Sequence, residues 1–205
     1  MSDQDIDDIE SMLDSFPLHV DIGEGGIHNA VIRPFFPYRE SYQRISDILL
    51  PRITELFGDV NIDTAHILES RTPYGIHNDV ASAGFDPLQT DRLAAWTFII
   101  PLDDYPSHTI VFNESDPVCK TVQEWQLARS VAPHGIPIDV EFHSRYLSHV
   151  DIHDLDFLTV ASIFAWKKGS LFAAARKNFH TSDNFPANGL TSKRAIIMWT
   201  TVPGS

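Results

Sequence analysis

Residues 158–202 read LTVASIFAWKKGSLFAAARKNFHTSDNFPANGLTSKRAIIMWTTV. Three apolar runs stand in this stretch, Leu158 to Trp166, Gly169 to Ala175 and Ala195 to Val202, set apart by turn residues and rich in Ile, Val, Phe, Trp and Thr. Runs this short, with this content, predict strands. The same pattern recurs upstream at Ala65 to Leu68, Ala94 to Pro101 and Thr109 to Phe112. Before them, Ser41 to Phe57 spaces Ile45, Ile48, Leu49, Ile53, Leu56 and Phe57 at intervals of three and four, an amphipathic helix with Gly58 as its stop and Pro51 as a kink point. One helix followed by many strands predicts a mainly β fold with flanking helices, an antiparallel sandwich closed as a jelly roll.

The chain reads as one domain over residues 1–205. Residues 1–16 form an acidic arm or first helix, with Ile6, Ile9, Met12 and Leu13 at helical spacing. The β core is expected over 62–202, interrupted at about 119–156 by a less regular insertion that carries His134, His143, His149 and His153. These histidines are read mostly as surface residues, with room for one or two substrate contacts, because loops on a rigid scaffold carry recognition.

Composition narrows the function. A formal charge of -13, from 28 acidic against 15 basic residues, repels phosphate at long range and argues against general nucleic-acid binding. Cys119 is the single cysteine, so neither an intrachain disulfide nor a thiolate zinc or iron–sulfur site can be assembled. The acidic start Met-Ser-Asp-Gln-Asp and the lack of a long apolar run predict a cytoplasmic protein without membrane spans. No P-loop, Gly-x-Gly-x-x-Gly turn, Gly-x-Ser-x-Gly elbow or His-Glu-x-x-His occurs, which sets aside nucleotide-binding, serine hydrolase and zincin readings.

Two imidazoles and a carboxylate on one face of a metal ion leave positions open for other ligands. Their sequence signature is His-x-Asp followed much later by a lone His. His-x-Asp occurs three times, at His19, His77 and His149, and position must choose. His19 has no strand before it, and the 31 residues from 149 to 180 are too few for the intervening strands. The 103 residues from 77 to 180 suffice, and the strand at Ala65 to Leu68 followed by the turn Thr72-Pro73-Tyr74-Gly75 would deliver the pair to a barrel mouth. His77, Asp79 and His180 are therefore the expected metal ligands. Arg194, 14 residues after His180 at the start of the last strand, is the expected partner for a carboxylate buried in the barrel; Lys193 would face the other way, and Arg176 is a third cation close to His180.

The ordered set His77-x-Asp79, Gly169-Ser170-Leu171-Phe172, His180 and Arg194 resembles the Fe(II)/2-oxoglutarate-dependent dioxygenase superfamily, and Phe179 to Phe185 is similar to its phage and bacterial members of unassigned substrate. The resemblance covers roughly 62–202. It implies a double-stranded β-helix (jelly roll, cupin-like) and an oxygenase that uses Fe(II), O2 and 2-oxoglutarate and releases succinate and CO2. By position, His77, Asp79 and His180 would bind iron and Arg194 the distal carboxylate. Tyr74, Thr97 and Trp96 are placed to contact cosubstrate or to pack as core and rim. Many relatives carry Ser or Thr two residues after the arginine; here Ile196 stands there, so a second anchor must lie elsewhere. Because halogenating relatives replace the carboxylate with a small residue, Asp79 favours hydroxylation of a small molecule or of an amino-acid or peptidyl side chain. The rivals are a cupin-like metal enzyme of non-oxidative chemistry, such as an isomerase or lyase, and a metal-free jelly-roll binding module.

Overall fold

A computed structural model of the chain describes residues 1–13, 19–22, 29–34, 39–80, 94–119, 121–128 and 137–202. In chain order the elements are α1 (Asp3–Glu10), β1 (His19–Ile22), β2 (Asn29–Pro34), α2 (Arg39–Phe57), β3 (Asn61–Ser70), β4 (Ala94–Pro101), β5 (His108–Ser115), α3 (Val122–Ala128), α4 (Val140–Tyr146), β6 (Val160–Ala165), β7 (Phe172–Ala175), β8 (Asn178–Ser182) and β9 (Lys193–Thr201). Short 3-10 turns cover Ile152–Leu155 and Phe185–Asn188.

The strands form two antiparallel sheets, one ordered β1-β2-β3-β9-β4-β7 and the other β6-β5-β8. Each expected run lies in or overlaps a strand, and the mainly β jelly roll with flanking helices is borne out. The pattern did not reveal β1 and β2, which extend the large sheet, and β8 is short, with Phe179 as its one apolar residue. α2 runs through Pro51, and Gly58, at φ +74°, ends it in the left-handed conformation that glycine adopts without steric cost.

β9 explains why the large sheet is apolar on both faces. Ile196 and Met198 pack with Ile6, Ile9, Ile45, Leu49 and Ile53 of α1 and α2, whereas Ala195 and Ile197 pack with Ile99, Val111, Trp166 and Phe172 between the sheets. Strand side chains alternate, so this strand divides its residues between a helix-covered face and the barrel interior. α3 and α4 cover the outer face of the small sheet, where Trp125 and Leu147 meet Ile110, Phe112 and Phe179. Register shifts at Ile62/Thr64 and Ala94/Thr97 bend β3 and β4 beside β9, at the end of the sheet where the metal-ligand candidates gather.

No described helix is long and apolar enough to cross a membrane. In the segment between β5 and β6, His134 lies outside the described residues. His143 bonds the Val150 carbonyl at 2.9 Å, His149 reaches the Tyr74 carbonyl at 3.4 Å, and His153 is exposed beside Asp156.

Candidate metal centre

The loop after β3 returns to the small sheet at His77, which exchanges backbone hydrogen bonds with His180 of β8 at 3.1 and 2.8 Å. That pairing sets the two imidazoles side by side, with ring centroids 4.5 Å apart. Asn78 turns away, and its amide donates to the Asp116 and Cys119 carbonyls, fixing the loop to the segment after β5. Asp79 then faces inward: His77 Nε2 lies 3.9 Å from Oδ1, His180 Nε2 lies 3.3 Å from Oδ2, and one ligand atom from each of the three residues falls within 4.8 Å of the others.

The protons fit metal binding. His77 Nδ1 is 2.7 Å from the Gly75 carbonyl and His180 Nδ1 is 3.1 Å from the Asn178 carbonyl. A carbonyl only accepts, so each Nδ1 carries a hydrogen, which leaves Nε2 as the ring nitrogen that faces the centre and could ligate a metal. Thr97 donates to Asp79 Oδ2 at 2.6 Å, leaving Oδ1 as the freer oxygen. Burial pushes the Asp79 carboxyl up, but His180, His77, the Thr97 hydrogen bond and Arg176 together outweigh it and hold the group below its ordinary value. Asp79 is thus an anion in a nearly closed site, while His77 remains partly exposed and marks the open side.

Arg176, fully buried, supports this loop from beneath. Its Nε donates to the Asp79 carbonyl at 2.9 Å and one terminal nitrogen to Asp63 Oδ2 at 3.0 Å and the Thr200 carbonyl at 3.1 Å, while the Asp79 amide donates to the Arg176 carbonyl at 2.9 Å. Of the remaining expected contacts, Tyr74 stands beside the triad with its ring 5.8 Å from that of His77. Trp96 lies on the helix-covered face against Phe57, away from the centre.

The structure does not bring Arg194 to the triad. It shares the face of Ile196 and Met198, and its guanidinium meets Glu10 of α1 at 2.7 Å. The residue before it, Lys193, takes the interior face with Ala195 and Ile197, only 2% exposed. Its ammonium donates to Ser107 Oγ at 2.8 Å and sits over the Trp166 ring, 3.9 Å from the centroid. Ser107 in turn donates to Asp183 Oδ1 at 2.7 Å. Burial drives the Lys193 pKa down to about 7, against the pull of Asp183. The expectation that Lys193 faces away is corrected by one step of strand parity. With apolar residues at 195 through 199, nothing in the run distinguishes the two faces.

A two-sheet jelly roll with an inward His-x-Asp…His set is an arrangement that could hold one metal ion and leave coordination positions open. No family model matches the chain, and no curated protein matches it in sequence. Among solved structures it is similar to the non-haem α-ketoglutarate-dependent epimerase SnoN from nogalamycin biosynthesis, at TM-score 0.59 and 10% identity over 98% of this chain and 75% of that one. The non-haem α-ketoglutarate-dependent carbocyclase SnoK gives 0.56 and 11% over 98% and 76%. HygX from Streptomyces hygroscopicus, solved with nickel and 2-oxoglutarate bound, gives 0.54 and 12% over 100% and 80%. At these identities the likeness establishes the double-stranded β-helix fold.

Proposed function

We propose that this chain is a non-haem Fe(II) enzyme dependent on 2-oxoglutarate, with His77, Asp79 and His180 holding the metal and Lys193 meeting the distal carboxylate of the cosubstrate. One observation carries the reading: two imidazole nitrogens and a carboxylate oxygen converge within 4.8 Å, each imidazole already oriented by a backbone carbonyl. Such a donor set suits Fe(II), and it also accepts nickel, cobalt or manganese. The structural relatives support the same reading, since SnoN has been solved with Fe3+ and α-ketoglutarate and HygX with nickel and 2-oxoglutarate.

When bound, iron and 2-oxoglutarate together supply the oxidising chemistry that activates O2, with release of succinate and CO2. The chain's own residues do the rest. Thr97 and Arg176 fix Asp79, the neighbouring sheet faces exclude water, and Lys193 offers a cation to a carboxylate that would otherwise be costly to bury. Hydroxylation of a small molecule or an amino-acid side chain is the reaction proposed, the carboxylate at 79 occupying the position that halogenation requires empty. The partly exposed His77 side is where a substrate would enter.

The decisive experiment is anaerobic titration of the metal-free protein with Fe(II) and then 2-oxoglutarate. A weak visible charge-transfer band that needs both, and is lost in His180→Ala, is expected. Metal binding without the band would favour the non-oxidative cupin-like enzyme, and no metal binding would leave a jelly-roll binding module.

A further inference from the structure

The barrel interior beside Asp79 holds two polar groups that the triad does not use. Trp199 pairs across the sheet with Thr97, the residue that bonds Asp79, and its Nε1 is buried without a hydrogen-bond partner. His66, on β3, is 6% exposed and meets the Trp199 ring edge-on at 5.2 Å between centroids. Burial lowers the His66 pKa to about 4 against the pull of Asp79, so the ring is neutral. No hydrogen bond holds either of its nitrogens among the described residues.

Their neighbours on this face are apolar: Leu68, Ile99 and Ile197. Buried N–H groups are almost always paired, and leaving one unpaired is costly. The unpaired Trp199 Nε1–H, with the His66 ring against it on the strand face that meets Thr97, calls for an acceptor that a ligand would bring. The chemistry of a 2-oxo acid supplies one. Chelation through the keto oxygen and one carboxylate oxygen leaves the second carboxylate oxygen uncoordinated, negative and inside a low-dielectric barrel.

We propose that Trp199 Nε1–H and His66 form a docking pair for the metal-side carboxylate of the 2-oxo acid, as Lys193 does for the distal one. This inference rests on reading the triad as a metal and 2-oxo-acid site. It assigns the two ends of the cosubstrate to different residues, and the ends can be separated chemically.

The test measures dissociation constants and the charge-transfer band of the anaerobic Fe(II)-loaded protein with 2-oxoglutarate and with 2-oxopentanoate, which lacks the distal carboxylate. Trp199→Phe and His66→Leu are expected to weaken both ligands by about ten-fold or more and to shift the band, with Fe(II) affinity unchanged. His66→Gln, which keeps a donor, should restore binding to within about three-fold of the parent, and Lys193→Met should weaken 2-oxoglutarate alone. Parent-like affinity for both acids in Trp199→Phe and His66→Leu would overturn the pair. Should Trp199→Phe not fold, His66→Leu set against His66→Gln decides. An unsubstituted protein that binds Fe(II) but no 2-oxo acid would instead overturn the reading of the site itself, before any variant is made.

Discussion

At the scale of single residues, the candidate metal centre depends on which ring nitrogen carries a proton. His77 and His180 each give Nδ1–H to a carbonyl two residues back, so both rings are set by the chain that carries them. Asp79 has its second oxygen occupied by Thr97 at 2.6 Å. Thr97→Val keeps the shape and removes that bond, which should lower metal affinity by about 10-fold to 100-fold, the usual effect of losing an outer hydrogen bond to a ligand; calorimetric titration with Ni(II) would measure it. Lys193 gives a second prediction, on pH. Burial puts its free-protein pKa at about 7, and an anionic cosubstrate docked there as proposed would favour the ammonium, so binding above that pH would take up a proton. The 2-oxoglutarate dissociation constant should therefore rise from pH 7 to 8.5, by up to about ten-fold per unit, and Lys193→Arg should flatten the rise. A parent profile flat over that range would show that Lys193 does not meet the ligand.

At the scale of elements, β9 carries the decision that the sequence left open. The triad was legible because spacing alone selects it: one of three His-x-Asp pairs follows a strand and leaves room for the rest of the barrel before His180. The cation was not legible. Alternation identifies an inward face only when the other face is polar, and β9 is buried on both, by helices on one side and the second sheet on the other. Arg194 consequently ties β9 to α1 through Glu10, and Lys193 enters the barrel. β1 and β2 were hidden for a related reason, since an extension at a sheet's edge adds little to a core's pattern. Paired variants separate the two cations: Arg194→Met should leave 2-oxoglutarate affinity within about two-fold and cost at most about 1 kcal/mol of stability, as expected of a partly exposed ion pair. Lys193→Met should lose cosubstrate binding. The reverse outcome would restore Arg194 as the anchor.

Over the whole molecule, three buried groups, Lys193, His66 and Asp79, make the metal-free fold sensitive to acid. Burial lowers Lys193 to about 7 from 10.5 and His66 to about 4 from 6.5, and Asp79 is held below its ordinary value by the neighbours that outweigh its burial. In each case the unfolded chain takes up its proton at a higher pH than the folded one. Stability linked to Lys193 is thus fully present above about pH 10.5 and lost as pH falls toward 7; that linked to His66 is lost between 6.5 and 4; that linked to Asp79 goes below its unfolded value of 3.8. The signs agree, so the losses add. The metal-free protein should unfold several degrees higher at pH 9 than at pH 7, on the order of a few kcal/mol at most. Lys193→Met should abolish most of that difference, and His66→Leu should reduce the fall between pH 6 and 5. Thermal unfolding at these four pH values measures both slopes, and a parent midpoint that stays level or drops from pH 7 to 9 would place the Lys193 ammonium in water rather than in the barrel.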